Sequence, residues 1–377
     1  MSNSIAQSKS KKELRSVLDS PVQFSGFTGD TMDIESIKEI RIGLFFPVDS
    51  LEKTNNQLIN AANLAIKEIN EKGGYNGIPY RLINRWSIDP WGAGSKEMIK
   101  LVYKDSVWAV IGSIDGEVTH IAEQIITKAW VPLLSPISAD PTLNYIRIPW
   151  IFRLPPDFKV QSELLVTQGI KSGRMKDIGL IIESSHDGRV FAEELNDVLC
   201  NNQMSPVFYF QVAKDKFDIQ FIVNHMNSFN ASSIIVYLSK KNIIKLLRAL
   251  ETGTQQLTVF VPWIPGLDQN LFTQSFKVDL YFIEPFSRSP NGAYEKFADE
   301  FYRNFGSIPT FGAAYTYDAV YILARALQKS GLNRVRLREA ISTMSDFQGV
   351  TGKVSWDNAG SNNVQPVYQR LSGGFTE

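Results

Sequence analysis

Arg41–Phe46 reads RIGLFF and Ala62–Gly74 reads ANLAIKEINEKGG. The first is a short, unbroken apolar run closed by Pro47, the pattern of a strand buried on both faces. In the second, Ala62, Ala65, Ile66 and Ile69 continue a helical spacing begun at Leu58, and Gly73-Gly74 stops the helix. A buried strand followed by an amphipathic helix is the opening unit of a parallel α/β sheet, because parallel neighbours need a crossover lying on one face.

The same rhythm runs outward from this unit. Tyr80–Ile83, Val107–Ile111 and Val131–Leu134 read as strands, with helical patterns over Ser95–Lys104 and Glu117–Lys128. The pattern restarts after Arg153-Leu154-Pro155-Pro156. Ile178–Ile182, Val207–Phe210, Ile234–Leu238, Leu257–Val261 and Leu280–Ile283 are strand-like, and Val190–Leu199 and Asn242–Glu251 are helical. Tyr294–Phe305, Ala313–Lys329 and Arg336–Met344 are helices with no strand between them, followed by late strands at Val354–Trp356 and Val367–Leu371. Those helices need a sheet to cover, and the first lobe is the expected host. The expected fold is therefore α/β, with two doubly wound parallel-sheet lobes. Residues 41–155 plus 285–350 form the first lobe and 156–284 plus 351–377 the second, after a polar extension over 1–40. Crossings near Pro155, Glu284 and Gly349 make a hinge, and a cleft between hinged lobes encloses a small ligand.

Composition narrows the function. Lys plus Arg and Asp plus Glu are both 39 in 377 residues, a balance that argues against a nucleic-acid footprint. No apolar run approaches the roughly 18–20 residues needed to span a bilayer. Cys200 is the single cysteine, which excludes an internal disulfide, and its neighbours suggest a small core residue at a helix end. The opening MSNSIAQSKSKKELRSVLDS has no apolar h-region, so it reads as a solvated tail with a short helix around Glu13–Leu18 and not as a signal peptide. A location outside the cytoplasm then requires removal of a signal, and a cytoplasmic location is the alternative.

Catalytic and cofactor signatures are missing. Phe46-Pro47-Val48-Asp49 follows the first strand without the glycines that let a backbone approach a pyrophosphate. Gly349-Val350-Thr351-Gly352-Lys353 has the wrong spacing for a phosphate loop and reads as a turn. His120, His186 and His225 are scattered, with no i,i+4 metal pair, and His120 reads as a surface or packing residue. No G-x-S-x-G elbow is present. The expectation is a binding protein without cofactor or metal, and not an enzyme.

Several segments, in order, resemble one family. Ala62–Gly74 is similar to the first helix of the branched-chain amino acid binding proteins of the type I periplasmic fold. Val110-Ile111-Gly112, then Pro132-Leu133-Leu134-Ser135-Pro136 and Ala139-Asp140-Pro141-Thr142-Leu143, are similar to their central core. Tyr317-Asp318-Ala319-Val320 and Gly349–Gly360 (GVTGKVSWDNAG) resemble their late helix and closing turn. The resemblance implies a periplasmic or extracellular receptor that closes over an amino-acid-like, amide or aromatic solute and delivers it to an ABC permease. A ligand-sensing regulator acting on a partner protein is the alternative within the same fold.

The resemblance also implies a ligand site. Gly116 and Ala139, with Ser138 beside it, stand where the family places hydroxyl residues that hold a ligand carboxylate. Asp115 flanks that place, or simply caps the helix. Asp187 stands where the family has a tyrosine, and Trp263 where it has an acid for the ligand ammonium. Phe158 and Ser239 fall at further contact positions, and Trp91 fits the rim as readily as a packed loop. These replacements point away from leucine, isoleucine and valine, and toward a larger neutral or cationic solute in an aromatic-walled cleft.

Overall fold

A computed structural model of the protein describes residues 37–47, 53–87, 90–251, 257–265, 276, 278–288 and 291–371. The helix expected at Glu13–Leu18 lies outside the described residues. The first sheet is built from β1 (Ile40–Phe45), α1 (Lys53–Glu71), β2 (Tyr80–Asn84), α2 (Ser95–Ile99), β3 (Ala109–Gly112), α3 (Gly116–Ala129), β4 (Leu133–Ser135), α4 (Thr142–Tyr145) and β5 (Ile151–Arg153). Its strands are all parallel, in the order β2-β1-β3-β4-β5. Both faces are covered. Ile42 and Leu44 pack into one hydrophobic core, and Phe45 packs with Leu101 and Val110 into another. That is why RIGLFF shows no polar alternation.

The second sheet follows α5 (Phe158–Lys171) and takes in β6 (Ile178–Glu183), α6 (His186–Asn201), β7 (Phe208–Val212), α7 (Ile219–Met226), β8 (Ser233–Tyr237), α8 (Lys240–Glu251), β9 (Thr258–Val261) and β10 (Asp279–Glu284). The chain continues through α9 (Ala293–Phe305), α10 (Phe311–Ser330), α11 (Arg334–Ser342), the hairpin β11 (Phe347–Gly349) and β12 (Gly352–Val354), and β13 (Val367–Leu371). The order is β13-β10-β9-β8-β6-β7, with β13 antiparallel on the edge. α10 lies along α1 and against β3, so it covers the first sheet although it follows the second in sequence. No helix among the described residues is long and apolar enough to cross a membrane.

Two buried polar clusters hold the later segments in place: one ties connections between the sheets, the other fixes a hairpin against α10. Arg153 ends β5 with its side chain 2% exposed. Its guanidinium donates to Asn144 Oδ1 (2.9 Å), the Pro155 carbonyl (3.0 Å), Asp157 Oδ2 (2.9 Å) and Ser361 Oγ (2.7 Å). Its main chain pairs with Gly360 and Asn362, so the segment leaving the first sheet is tied to the one entering β13. Asp318, buried on α10, accepts from Val350 N (2.9 Å), Thr351 N (2.8 Å) and Thr351 Oγ1 (2.6 Å). Gly349 makes room for it: a Cβ there would lie 2.2 Å from an Asp318 carboxylate oxygen. The GVTGK stretch is thus a hairpin turn held by a carboxylate.

Ser95–Lys104 is helical throughout, as expected, with a short α turn running into a π-helical turn at Lys100–Lys104. Some expectations need correction. The late strand expected at Val354–Trp356 pairs over Gly352–Val354, with only a single bridge from Trp356 to Asn362. Cys200 is exposed, because it lies on the outer side of the last turn of α6.

Candidate functional site

Between the two sheets lies a cavity of about 920 Å³. The first sheet contributes Ile114, Asp115, Glu117 and Ile137. The second contributes Glu183, His186, Asp187 and Ser239, with Lys214, Lys240, Lys241 and Lys245 around them. Its wall therefore carries charges of both signs.

The inner end is built by two helix N-termini that face each other. Asp115 caps α3 by accepting from Val118 N at 2.8 Å, and it also lines the cavity. Ser185 caps α6 by accepting from Gly188 N at 3.0 Å, which places His186 and Asp187 in the first turn. A carboxylate is favoured there by the free N–H groups and the helix dipole. Asp187 reaches across to the other helix: Gly116 N donates to its Oδ1 at 2.9 Å. Burial, and then the charges of Asp115 and Asp140, push the Asp187 carboxyl up to about 7 against the pull of the Gly116 N–H. Burial likewise raises Asp115.

Beside this contact, Asp140 links both sheets. Its carboxylate is buried, and Thr142 N (2.8 Å) and Thr142 Oγ1 (2.6 Å) donate to its Oδ1. Its Oδ2 lies 2.7 Å from His186 Nε2 and 3.4 Å from His120 Nε2. The other nitrogen of His120 meets Glu123 Oε2 at 2.9 Å. Burial alone would raise Asp140, but the two imidazoles and Thr142 hold it well below the usual carboxylate range. Burial lowers His120, yet Asp140 and Glu123 outweigh it and push the ring up to about 9. Asp140 raises His186 as well, against burial. A Cβ on Gly116 would lie 2.3 Å from Asp140 Oδ2 and 2.7 Å from Asp187 Oδ1. Glycine at 116 is what lets both carboxylates sit here.

The structure brings together Asp115, Gly116 and Asp187, and sets Ser239 on the facing wall. The Ser239 N–H donates to Glu183 Oε2 at 2.9 Å. The remaining expected residues lie elsewhere. Ser138 is fully buried, and its Oγ accepts from Asp140 N at 3.3 Å, within its own turn. Ala139 is buried, and its carbonyl takes the N–H of Phe158. Phe158 is fully buried and packs on Phe191 and Tyr237 in the hydrophobic core. Trp263 is 1% exposed, packs edge-on to Tyr315, and donates its main-chain N–H to Gln161 Oε1. The expected aromatic wall is thus core, leaving Phe217 and Tyr237 as the aromatic lining. Trp91 belongs to the Pro90–Gly94 turn, and its side chain lies outside the described part of the structure.

The histidine reading is also corrected. His120 and His186 are not scattered in space: their rings lie 5.8 Å apart, centroid to centroid. One nitrogen from each and a carboxylate oxygen of Asp140 all fall within 4.8 Å of one another, a set that can hold a metal ion. Sequence spacing gave no signal, because the cluster forms only when the two sheets meet. The lysines of the wall were missed for the same reason.

Comparison with known proteins places this geometry. The chain matches the model of the periplasmic binding protein family over residues 39–370. An ABC transporter substrate-binding protein from Desulfitobacterium hafniense, in complex with Leu, is similar at TM-score 0.75 and 22% identity, over 89% of this chain and 98% of that one. A branched-chain amino acid transporter substrate binding protein from Streptococcus pneumoniae, in complex with isoleucine, has TM-score 0.77 and 20% identity, over 89% and 97%. A solute binding protein from R. palustris, in complex with benzoate, has TM-score 0.78 and 15% identity, over 89% and 94%. Glutamate receptor 3.1 of Oryza sativa subsp. japonica is 24% identical over 327 residues, covering 74% of this chain and 34% of the receptor. The chain thus spans about a third of the length of that curated relative. With the match running through both sheets and the cavity between them, the chain belongs to the periplasmic binding protein family and has its type I α/β fold.

Proposed function

We propose that this protein is an extracytoplasmic solute receptor that closes its two lobes over a small molecule and delivers it to an ABC permease. The observation that carries this reading is the cavity of about 920 Å³ walled by both sheets, a volume in the range of small-molecule sites. The three connections between the sheets supply the hinge.

The solute is amino-acid-like, an amide or an aromatic compound, and is not leucine, isoleucine or valine. A free α-amino acid carboxylate needs donors when it is buried, and an unmatched charge costs several kcal/mol. Here the Gly116 N–H already serves Asp187, and Asp115 and Asp140 crowd the same spot with further negative charge. The position that a ligand carboxylate would take is filled by the protein's own.

A thermal-shift screen over a solute library tests the reading, since a ligand at about 100 times its dissociation constant adds roughly 2.7 kcal/mol. The expected result is a hit that also compacts the protein in small-angle scattering. A ligand that binds without compaction argues against capture by closure. Micromolar or tighter binding of leucine in calorimetry overturns the exclusion of branched-chain amino acids.

A further inference from the structure

We propose that His120, Asp140 and His186 form a binding site for a divalent transition-metal ion, which latches the two lobes to each other at the edge of the cleft. The site does not depend on the solute or on the permease.

Three features carry it. The first is the donor set. Two imidazole nitrogens and one carboxylate oxygen converge within 4.8 Å. Imidazole suits zinc and its neighbours in the first transition row, whereas magnesium and calcium prefer oxygen alone. Donors around a tetrahedral zinc at about 2.0–2.1 Å sit roughly 3.3 Å from one another. The His120–Asp140 separation, 3.4 Å, already has that value; the His186–Asp140 separation, 2.7 Å, needs to open by about 0.6 Å, and the two ring nitrogens lie within 4.8 Å of each other.

The second feature is the support behind each donor. Metal-binding histidines commonly give their other nitrogen to a carboxylate, which fixes the tautomer and orients the ring. His120 does this through Nδ1 to Glu123 Oε2 at 2.9 Å, leaving Nε2 aimed at Asp140 and Thr142. Glu123 is 5% exposed, and its second oxygen has no hydrogen-bond partner among the described residues, so a buried carboxylate is held there largely for this one contact. Thr142 takes Asp140 Oδ1 by two hydrogen bonds and leaves Oδ2 to the two rings.

The third feature is position. His120 and Asp140 belong to the first lobe and His186 to the second, so an ion held by all three bridges the cleft. The ring side chains are 31% and 27% exposed, which leaves a path for the ion to enter. Bridging makes affinity and closure reciprocal: the ion binds the closed form and favours it by the same factor.

The test uses the full chain, stripped with chelator and free of solute. Zinc chloride titrated by calorimetry should bind one ion per chain at micromolar affinity or tighter, and magnesium should not bind. His120→Ala and His186→Ala should each weaken zinc at least about tenfold, and Glu123→Gln should do so by about tenfold through the orientation of His120. Cobalt(II) should give the visible absorption of a tetrahedral centre with nitrogen ligands, and lose it in either variant. Zinc should also compact the wild type in small-angle scattering but not His186→Ala. His186→Gln, with its fold checked by circular dichroism in chelator, guards against a variant that merely unfolds. No zinc binding, or binding unchanged in both histidine variants, overturns the site. Weakening by His120→Ala alone places the ion on one lobe and overturns the latch.

Discussion

Asp318 and Asp140 are both buried carboxylates, and each presses against a glycine whose Cβ it excludes. Their partners differ in where they come from. Asp318 on α10 is served by Val350 and Thr351 of the adjoining hairpin turn, main chain and hydroxyl together. Asp140 is held by Thr142 on its own side but shares its second oxygen with His186 on the far side of the cleft. A carboxylate served within one body is a fastener, and its loss is felt as lost stability. One shared across the cleft sets the balance between open and closed in the closure proposed above, and its loss is felt as a change of shape. The difference can be broken experimentally.

Asp318→Ala should have the largest effect. It leaves three buried donors without an acceptor and opens a cavity, for a cost of about 3–5 kcal/mol in urea denaturation. A loss below about 1 kcal/mol would falsify the fastener reading. The same residue gives a pH dependence. Burial pushes its carboxyl up to about 6, against the donors of Thr351 and Val350, while the unfolded chain titrates near the ordinary 3.8. The folded state therefore takes up a proton between those values. The stability this group contributes is full below about pH 4 and is lost as pH rises through about 6, by about 3 kcal/mol. In Asp318→Asn that component of the stability-against-pH curve should be missing.

The two glycines offer the sharpest contrast. Gly349→Ala puts a methyl 2.2 Å from Asp318 inside one body, where nothing can retreat, and should cost about 1–3 kcal/mol. Gly116→Ala puts a methyl 2.3 Å from Asp140 in its own lobe and 2.7 Å from Asp187 across the cleft. The first contact should cost about 1–3 kcal/mol in denaturation, as at Gly349, and the second should in addition expand the protein in small-angle scattering, because Asp187 can withdraw with its lobe. Stability losses with no expansion would erase the distinction between fastener and latch. Least of all, Tyr145→Phe removes the phenol that donates to Glu194 between α4 and α6. Tyr145 is half exposed, so the closed form should lose about 0.5–1 kcal/mol, visible as a small shift toward the open shape.

The fold was legible because its strands are long apolar runs. IGLII at Ile178–Ile182 lies in a strand whose every residue is buried, and no helix or loop pattern competes with it. Ile151–Arg153 gave no such signal: three residues, one of them a buried arginine, do not make a period. The site was legible where it is local. Asp115 before Gly116 reads as a helix cap, and it is one. It was not legible where two lobes meet, because 46 residues separate Asp140 from His186 and no spacing rule connects them. Aligned positions also misled at Phe158 and Trp263: family position fixes where a residue lies along the chain, whereas packing against Tyr237 and Tyr315 turned both inward.

Arg153 has a consequence for how the molecule can move. Its guanidinium spends its hydrogen bonds on Asn144, Pro155, Asp157 and Ser361, all in or beside two of the segments that run between the sheets. Those segments cannot slide past each other without stripping a buried cation of its acceptors. In the proposed closure, sliding is thereby resisted while torsion of the flanking backbone is left free, and the pair serves as an axle. The walls of the cleft can then change their chemistry, residue by residue, without changing the axle.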